Sequence, residues 1–380
     1  MKNVFKKIFA ATVAVATMAT AMVGLTSCGG NNGPTANNTA FYIGGTGPLT
    51  GEAASYGNSV KQGAALAVKH LNAQGGVQFS FKILDDKAGA ADATTNYGTL
   101  YDDGMQMSLG GVTSGAGEAF ANLANADGVF SMTPSGSADP VIKDMKYSFR
   151  LCFGDPDQGA LAAQAIKDAN YTNVGVLYDE SDSYSSGIYA AFEAKAEALG
   201  IATTVYKFDK ESNKDFSTQA EALKDCDVVF MPFYYTEASL FIKKSVEKGS
   251  DAVFFGCDGF DGIAGLVTDV TNIIQYITPF DVNSTEENVK AFVEAYTAEY
   301  GVAPDQFAAD AYDVVMVLAA ALAKAGVTDY TLSADEIGNY LYDTITADDF
   351  SYDGLTGADM TWDEGGKCTK APKIVTLGGE

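Results

Sequence analysis

Apolar and polar positions along this chain follow two rhythms that take turns. Short β-rich runs occur at Phe41 to Gly44, Phe79 to Leu84, Met107 to Gly110, Val129 to Met132, Val174 to Tyr178, Thr203 to Phe208, Val228 to Phe233, Val253 to Gly256 and Ile273 to Thr278. Between them lie Ala-rich stretches with apolar residues three and four apart. Examples are Val60 to Leu71, Ala119 to Ala126, Gly159 to Ala169, Ile188 to Leu199, Phe216 to Leu223 and Leu240 to Lys248. The spacing predicts strands alternating with amphipathic helices. Repeated βα units make an α/β fold of doubly wound parallel sheets covered by helices on both faces. Right-handed crossovers then gather the βα loops along one edge of each sheet. The series breaks near Asp155, so two sheets are expected. From Glu286 to Leu341 the pattern is helix-rich, with an apolar helix at Ala309 to Ala323.

The N-terminus has a different pattern. Lys2, Lys6 and Lys7 precede an uncharged run from Ile8 to Leu25, which ends in Leu25-Thr26-Ser27-Cys28. That is a secretory signal layout. The Leu-x-x-Cys ending resembles the lipobox of bacterial lipoproteins. The resemblance implies removal of residues 1–27 and lipidation of Cys28, which would hold the mature chain on the extracytoplasmic side of a membrane. An uncharged membrane-spanning anchor is the competing reading. It is disfavoured because Gly29-Gly30-Asn31-Asn32-Gly33-Pro34 follows with no basic flank. Residues 28–39 read as a flexible tether.

Composition narrows the body of the protein. With 380 residues and 47% hydrophobic content, the chain has enough apolar mass for two domains. No later segment reads as long and apolar enough to span a bilayer, since Val314 to Leu322 is short. The net charge is −25, and the leader's lysines are part of the small basic total, so the mature body is more acidic still. Such a field repels nucleic acid. Cys152, Cys226, Cys257 and Cys368 are widely spaced, with no CxxC, and are expected to be free, buried and small. Nothing points to a metal or another cofactor.

Ligands of open α/β sheets sit outside the carboxyl ends of the strands. The residues there are informative. Gly111-Val112-Thr113-Ser114-Gly115-Ala116-Gly117 follows one strand and opens a helix, whose free amides suit an anion. Thr133-Pro134-Ser135-Gly136-Ser137 follows another. In the second half Tyr184 lies beyond the strand ending at Tyr178, Tyr234 and Tyr235 beyond the one ending at Phe233, and Cys257-Asp258-Gly259 beyond the one ending at Gly256. Each is an ordinary turn or cap taken singly. Together they bring hydroxyls, rings and one carboxylate to the same edges.

These stretches resemble the branched-chain (Leu/Ile/Val-type) amino acid binding proteins of ABC importers. The likeness runs from Ala40 to about Leu377. It is carried by Gly47-Pro48-Leu49-Thr50-Gly51 with Tyr56-Gly57, Leu71-Asn72-Ala73-Gln74-Gly75-Gly76, Asp85-Asp86, the Thr133 to Ser137 turn, Lys214-Asp215-Phe216-Ser217, Ala311-Tyr312-Asp313 and Thr361-Trp362-Asp363. The resemblance implies a periplasmic binding protein type I fold, with two lobes closing on a cleft about a hinge. It implies that Ser114 holds a ligand carboxylate, that Ser135 and Ser137 add backbone and hydroxyl contacts, and that Asp258 takes the ammonium. Tyr56, Tyr184 and Tyr234 would wall the side-chain pocket. A disulfide of some members has no counterpart, because Lys87, Ala88 and Thr113 stand at its places. The lobes are expected to interleave, as 40–155 plus 282–352 and 156–281 plus 353–380, with crossings near Asp155, Asp281 and Asp353.

The expected function is capture of a small aliphatic amino acid by a monomeric lipoprotein and its delivery to an ABC permease. A receptor of the same fold for an amide, urea, short carboxylate or aromatic acid stays open, as does a sensor for a signalling partner. An enzyme is disfavoured. The sole histidine, His70, falls on a helix surface, and no Gly-x-Ser-x-Gly elbow exists. Gly44-Gly45-Thr46-Gly47 lacks the Gly-Lys-Ser/Thr ending of a phosphate loop. The adjacent acids Asp85-Asp86, Asp102-Asp103 and Asp348-Asp349 point apart on a strand and suit turns or caps.

Overall fold

The computed structural model describes residues 39–209 and 215–378. The leader, Cys28 and nearly all of the tether lie outside the described residues.

The first sheet is built from β1 (Phe41–Gly47), β2 (Phe79–Asp85), β3 (Met107–Gly111), β4 (Phe130–Thr133) and β5 (Ser148–Arg150). All are parallel, in the order β2-β1-β3-β4-β5. Every residue of β3 and β4 is buried. That is the signature of parallel strands covered on both faces, and it explains why they lack strict alternation. The helices α1 (Ala54–Ala73), α2 (Ala90–Asp102) and α3 (Ser114–Ala126) follow β1, β2 and β3. The chain then leaves through α4 (Asp155–Asp168).

The second sheet comprises β6 (Val174–Asp179), β7 (Thr203–Phe208), β8 (Val228–Met231), β9 (Val253–Gly256), β10 (Ile274–Thr278) and β11 (Lys373–Leu377), ordered β11-β10-β9-β8-β6-β7. Helices α5 (Ser183–Ala198), α6 (Ser217–Leu223) and α7 (Tyr235–Glu247) cover it. The chain returns to the first lobe for α8 (Glu287–Tyr300), α9 (Gln306–Ala325) and α10 (Ala334–Ile345). Helix α9 is longer than the apolar run read from sequence, and it is long and apolar enough to cross a membrane. Its apolar residues are instead buried in the first-lobe core with α1. The two helices approach closely because Gly63 of α1 has no Cβ to meet the Ala308 carbonyl.

The third crossing falls later than expected. Phe350, Leu355, Met360, Trp362 and Cys368 all belong to the first core. The Trp362 indole Nε1 donates to the Arg150 carbonyl at 2.9 Å. Only at Lys373 does the chain join the second sheet, antiparallel to β10. Residues 353–368 therefore belong to the first lobe, not the second. Their apolar anchors are spaced irregularly and joined by isolated bridges, so no strand or helix period marks them. Between core and sheet, Lys370 is fully buried, with Nζ 2.5 Å from Asp310 Oδ1 and 2.6 Å from Thr356 Oγ1. Cys152, Cys226, Cys257 and Cys368 are free and buried.

Candidate ligand site

In each sheet the strand order reverses once, between β1 and β3 and between β6 and β8. A crevice forms at such a switch point, outside the carboxyl ends of the strands. Here the two crevices face each other. The narrow cleft between them is lined by Tyr56, Val112, Thr113, Ser114, Ser135, Tyr184, Tyr234, Asp258, Gly259 and Phe307.

The first lobe supplies hydroxyls and amides. Helix α3 begins at Ser114, so its first amides have no helical partner and its dipole favours an anion. Ser114 is 1% exposed, and its Oγ accepts the Ala138 amide at 3.2 Å, which leaves its own proton to donate. The neighbouring turn is held rigidly. Thr133 Oγ1 donates to the Gly111 carbonyl at 2.7 Å and accepts the Gly136 amide at 2.8 Å. Ser135 Oγ donates to the Val112 carbonyl at 2.7 Å. The buried Thr113 hydroxyl has no partner.

The second lobe supplies the charge. Asp258 follows β9 and is 5% exposed. Burial pushes its carboxyl up to about 6, against the bonds it accepts. The Tyr184 hydroxyl donates to Asp258 Oδ1 at 2.6 Å and accepts the Gly259 amide at 2.9 Å. Gln158 Oε1 accepts the Asp258 amide, and Gln306 Nε2 donates to the Asp258 carbonyl at 2.5 Å. The Tyr184 ring stacks on Tyr234 at 5.0 Å, and Tyr56 meets Tyr234 edge-on at 5.7 Å. Burial raises all three phenols well above the usual range, so they stay protonated.

The lobes are clasped over this cleft. The Tyr56 hydroxyl donates to the Gly259 carbonyl and accepts the Tyr235 amide at 3.2 Å. The Tyr235 and Thr236 hydroxyls both donate to the Glu52 carbonyl, at 2.9 and 3.0 Å.

Of the residues read from sequence, Tyr56, Ser114, Ser135, Tyr184, Tyr234 and Asp258 line the cleft. Ser137 does not; it is fully buried behind the wall, and its Oγ has no partner. Phe307 is a lining residue that sequence reading missed. It lies in the first turn of α9, with its ring centroid 4.2 Å from that of Tyr56. Its position after a loop rather than after a strand gave no signal. His70 is half-buried on α1 and pairs with the Tyr312 hydroxyl at 2.9 Å, away from the cleft.

A two-lobed α/β body with a small polar and aromatic cleft at facing switch points defines a solute receptor. The chain belongs to the periplasmic binding protein family, whose model matches residues 40–371. A leucine-, isoleucine-, valine-, threonine- and alanine-binding protein of Pseudomonas aeruginosa is 28% identical over 309 residues, which cover 79% of this chain and 82% of that one. Among solved structures, a branched-chain amino acid transporter substrate-binding protein of Streptococcus pneumoniae, in complex with isoleucine, superposes with a TM-score of 0.80 at 28% identity. That match covers 89% of this chain and 96% of that one. An ABC transporter solute-binding protein from R. palustris, in complex with benzoate, shares the fold with a TM-score of 0.78 at 21% identity, covering 89% and 96%.

Proposed function

We propose that this protein is an extracytoplasmic lipoprotein that captures an aliphatic α-amino acid between its lobes and presents it to an ABC permease. The observation that carries the reading is the pairing of opposite chemistries across the cleft. A helix N-terminus with the Ser114 hydroxyl faces the buried Asp258 carboxyl, with tyrosine rings as walls. An α-amino acid has a carboxylate and an ammonium on one carbon. Ser114 and the first amides of α3 would take the carboxylate, and Asp258 the ammonium. A zwitterion carries no net charge, so its burial avoids the cost of an isolated ion. The tyrosine rings and Phe307 would hold the apolar side chain while the Tyr56 and Tyr184 hydroxyls stay bonded.

The named ligands of the Pseudomonas and Streptococcus relatives support this choice. The benzoate held by the R. palustris neighbour keeps an aromatic acid as the second reading, and the stacked Tyr184 and Tyr234 would suit a ring. The buried acid at Asp258 counts against it, because a carboxylate ligand gives that acid no counter-charge. Cys28 is the proposed lipid attachment point, and the closed lobes are the form a permease would recognise.

A thermal-shift panel on the purified chain tests the reading. Leucine, isoleucine, valine, alanine, benzoate, acetamide and urea are each added in excess. Ligand at about 100 times its Kd stabilises by about 2.7 kcal/mol. A rise in Tm with branched-chain amino acids supports the reading. A rise with benzoate or urea, and none with any amino acid, refutes it.

A further inference from the structure

Two glutamine amides hold the backbone of Asp258, and they come from different lobes. Gln158 accepts its amide on Oε1 at 3.0 Å, from α4, which packs into the second-lobe core. Gln306 donates Nε2–H to its carbonyl at 2.5 Å, from the first residue of α9, a core helix of the first lobe. That carbonyl also accepts the Asp261 amide at 3.0 Å, so Gln306 takes its second lone pair. The Gln306 main-chain amide donates in turn to Asp261 Oδ2 at 2.9 Å. One first-lobe residue thus meets both ends of the second-lobe turn from Asp258 to Asp261. Its orientation is fixed. The Asp258 carbonyl admits only the amide nitrogen, and the Thr278 hydroxyl at the end of β10 donates to Oε1 at 3.1 Å. Gln306 is buried but is not among the residues that line the cleft.

The groups around this amide are acids and hydroxyls. Asp305 precedes it and caps α9, accepting the Ala308 amide at 2.9 Å and, from α1, the Ser59 hydroxyl at 2.6 Å. Asp261 faces it from the second lobe, with the Tyr276 phenol of β10 beside that carboxyl. Asp310, one turn further along α9, adds like charge to Asp258 and Asp261. Its counter-ion Lys370 binds it directly at 2.5 Å. Burial, and the acids among these neighbours, push the Asp258, Asp261 and Asp305 carboxyls up. A neutral donor suits the place, and a carboxylate there would be repelled.

We propose that Gln306 is a positioning residue that ties closure of the lobes to the ligand site: from the first lobe its amide seats the Asp258 to Asp261 turn of the second. It touches no ligand. It acts by fixing the backbone that carries the Asp258 side chain and Gly259 at the cleft wall. When the lobes part, the turn loses this seat and the wall it forms is released. The inference rests on the cleft being the ligand site, and deepens that reading.

The test is calorimetry with leucine at pH 5 and pH 8 on the wild-type chain, Gln306→Met and Gln306→Glu. Taking each variant against wild type at the same pH removes the titration of Asp258 itself. Gln306→Met keeps the bulk and drops the amide. One lost hydrogen bond predicts affinity about 3- to 10-fold weaker at both pH values. Gln306→Glu restores a donor to the Asp258 carbonyl only while it is protonated. At pH 5 it should bind within about threefold of wild type. At pH 8, ionised among acids that raise its pKa on closure by one to two units, it should bind about 10- to 100-fold more weakly. A steric or merely structural role gives no such growth of the deficit with pH. The stoichiometry of each titration shows whether the variant is folded. Unchanged affinity in Gln306→Met overturns the proposal, as does a Gln306→Glu deficit that is equal at the two pH values. Benzoate is titrated alongside. A wild-type chain that binds benzoate and not leucine loses the amino acid reading, and the same comparisons on benzoate then decide the role of Gln306.

Discussion

Tyr56 of the first lobe and Gly259 of the second are joined directly: the phenol hydroxyl donates to the Gly259 carbonyl at 2.5 Å, across the mouth of the cleft. The same oxygen accepts the Tyr235 amide from the second lobe. One hydroxyl thus binds two backbone groups of the second lobe. Tyr56 is also a cleft wall, packed at 4.2 Å on Phe307. The proposed ligand contact and the bridge between the lobes therefore share one side chain, as a domain-closing receptor would require.

Tyr56→Phe keeps the ring and removes the latch. Two hydrogen bonds are lost, each worth about 0.5–1.5 kcal/mol net. Ligand affinity should fall roughly 5- to 150-fold. Small-angle scattering at saturating ligand should show a larger fraction of open particles than wild type. Wild-type affinity in the variant would remove the latch from the mechanism.

The Asp258 carboxyl gives a pH signature. Burial raises it to about 6 from a model-peptide value near 3.8. An acid whose folded pKa is raised holds its proton more tightly in the folded state. Its contribution therefore favours folding at low pH and is lost as pH rises from about 4 through about 6. Asp258→Asn has no such loss. Relative to wild type, the ligand-free variant should gain about 2–3 kcal/mol between pH 4 and pH 7 and then level off. Denaturant midpoints at four or five pH values would show it. A difference that does not vary with pH would mean that Asp258 is not protonated in the fold.

Lys370 pins the third crossing. Its ammonium is 2.5 Å from Asp310 Oδ1, with both side chains buried, and Asp313 is bound beside them by the Leu355 and Thr356 amides. Lys370→Met leaves Asp310 buried without its counter-charge. Loss of one partner of such a pair costs about 3–5 kcal/mol. Without the cation Asp310 and Asp313 hold protons more tightly, so the deficit should shrink as pH falls through the carboxyl range. A deficit that grows toward low pH would contradict this account.

The proposed anchor is separable from the site. Cys28→Ala should release the protein from membranes or leave its leader uncut. Intact mass and detergent partition would show either result. A wild-type chain cut elsewhere and free of lipid would refute the lipobox reading, with no consequence for the cleft.

The parallel sheets were legible in the sequence because each buried strand is a short apolar run punctuated by turn residues. Met107 to Gly111 and Val228 to Met231 are examples. Most of the candidate cleft was legible too, because doubly wound sheets send their chemistry to strand ends, where Ser114, Tyr184, Tyr234 and Asp258 stand. What was not legible had no period. Ser148–Arg150 is a three-residue edge strand with a buried arginine, and it reads as a loop. Leu355, Met360 and Trp362 enter the first core at irregular spacing, so the third crossing was placed too early. Phe307 lies in the first turn of α9, after a loop within the first lobe, and only the tertiary arrangement brings it into the cleft.

The central claim is that the cleft recognises an α-amino acid by both charges. Calorimetry of the wild-type chain with leucine and with 4-methylpentanoate tests it most directly. The two ligands share side chain and carboxylate and differ by the amine that Asp258 would hold. Leaving a buried charged group unpaired costs about 2–5 kcal/mol, so leucine should bind roughly 30- to 5,000-fold more tightly. Equal affinity for the two ligands, or tighter binding of the des-amino acid, would contradict the account.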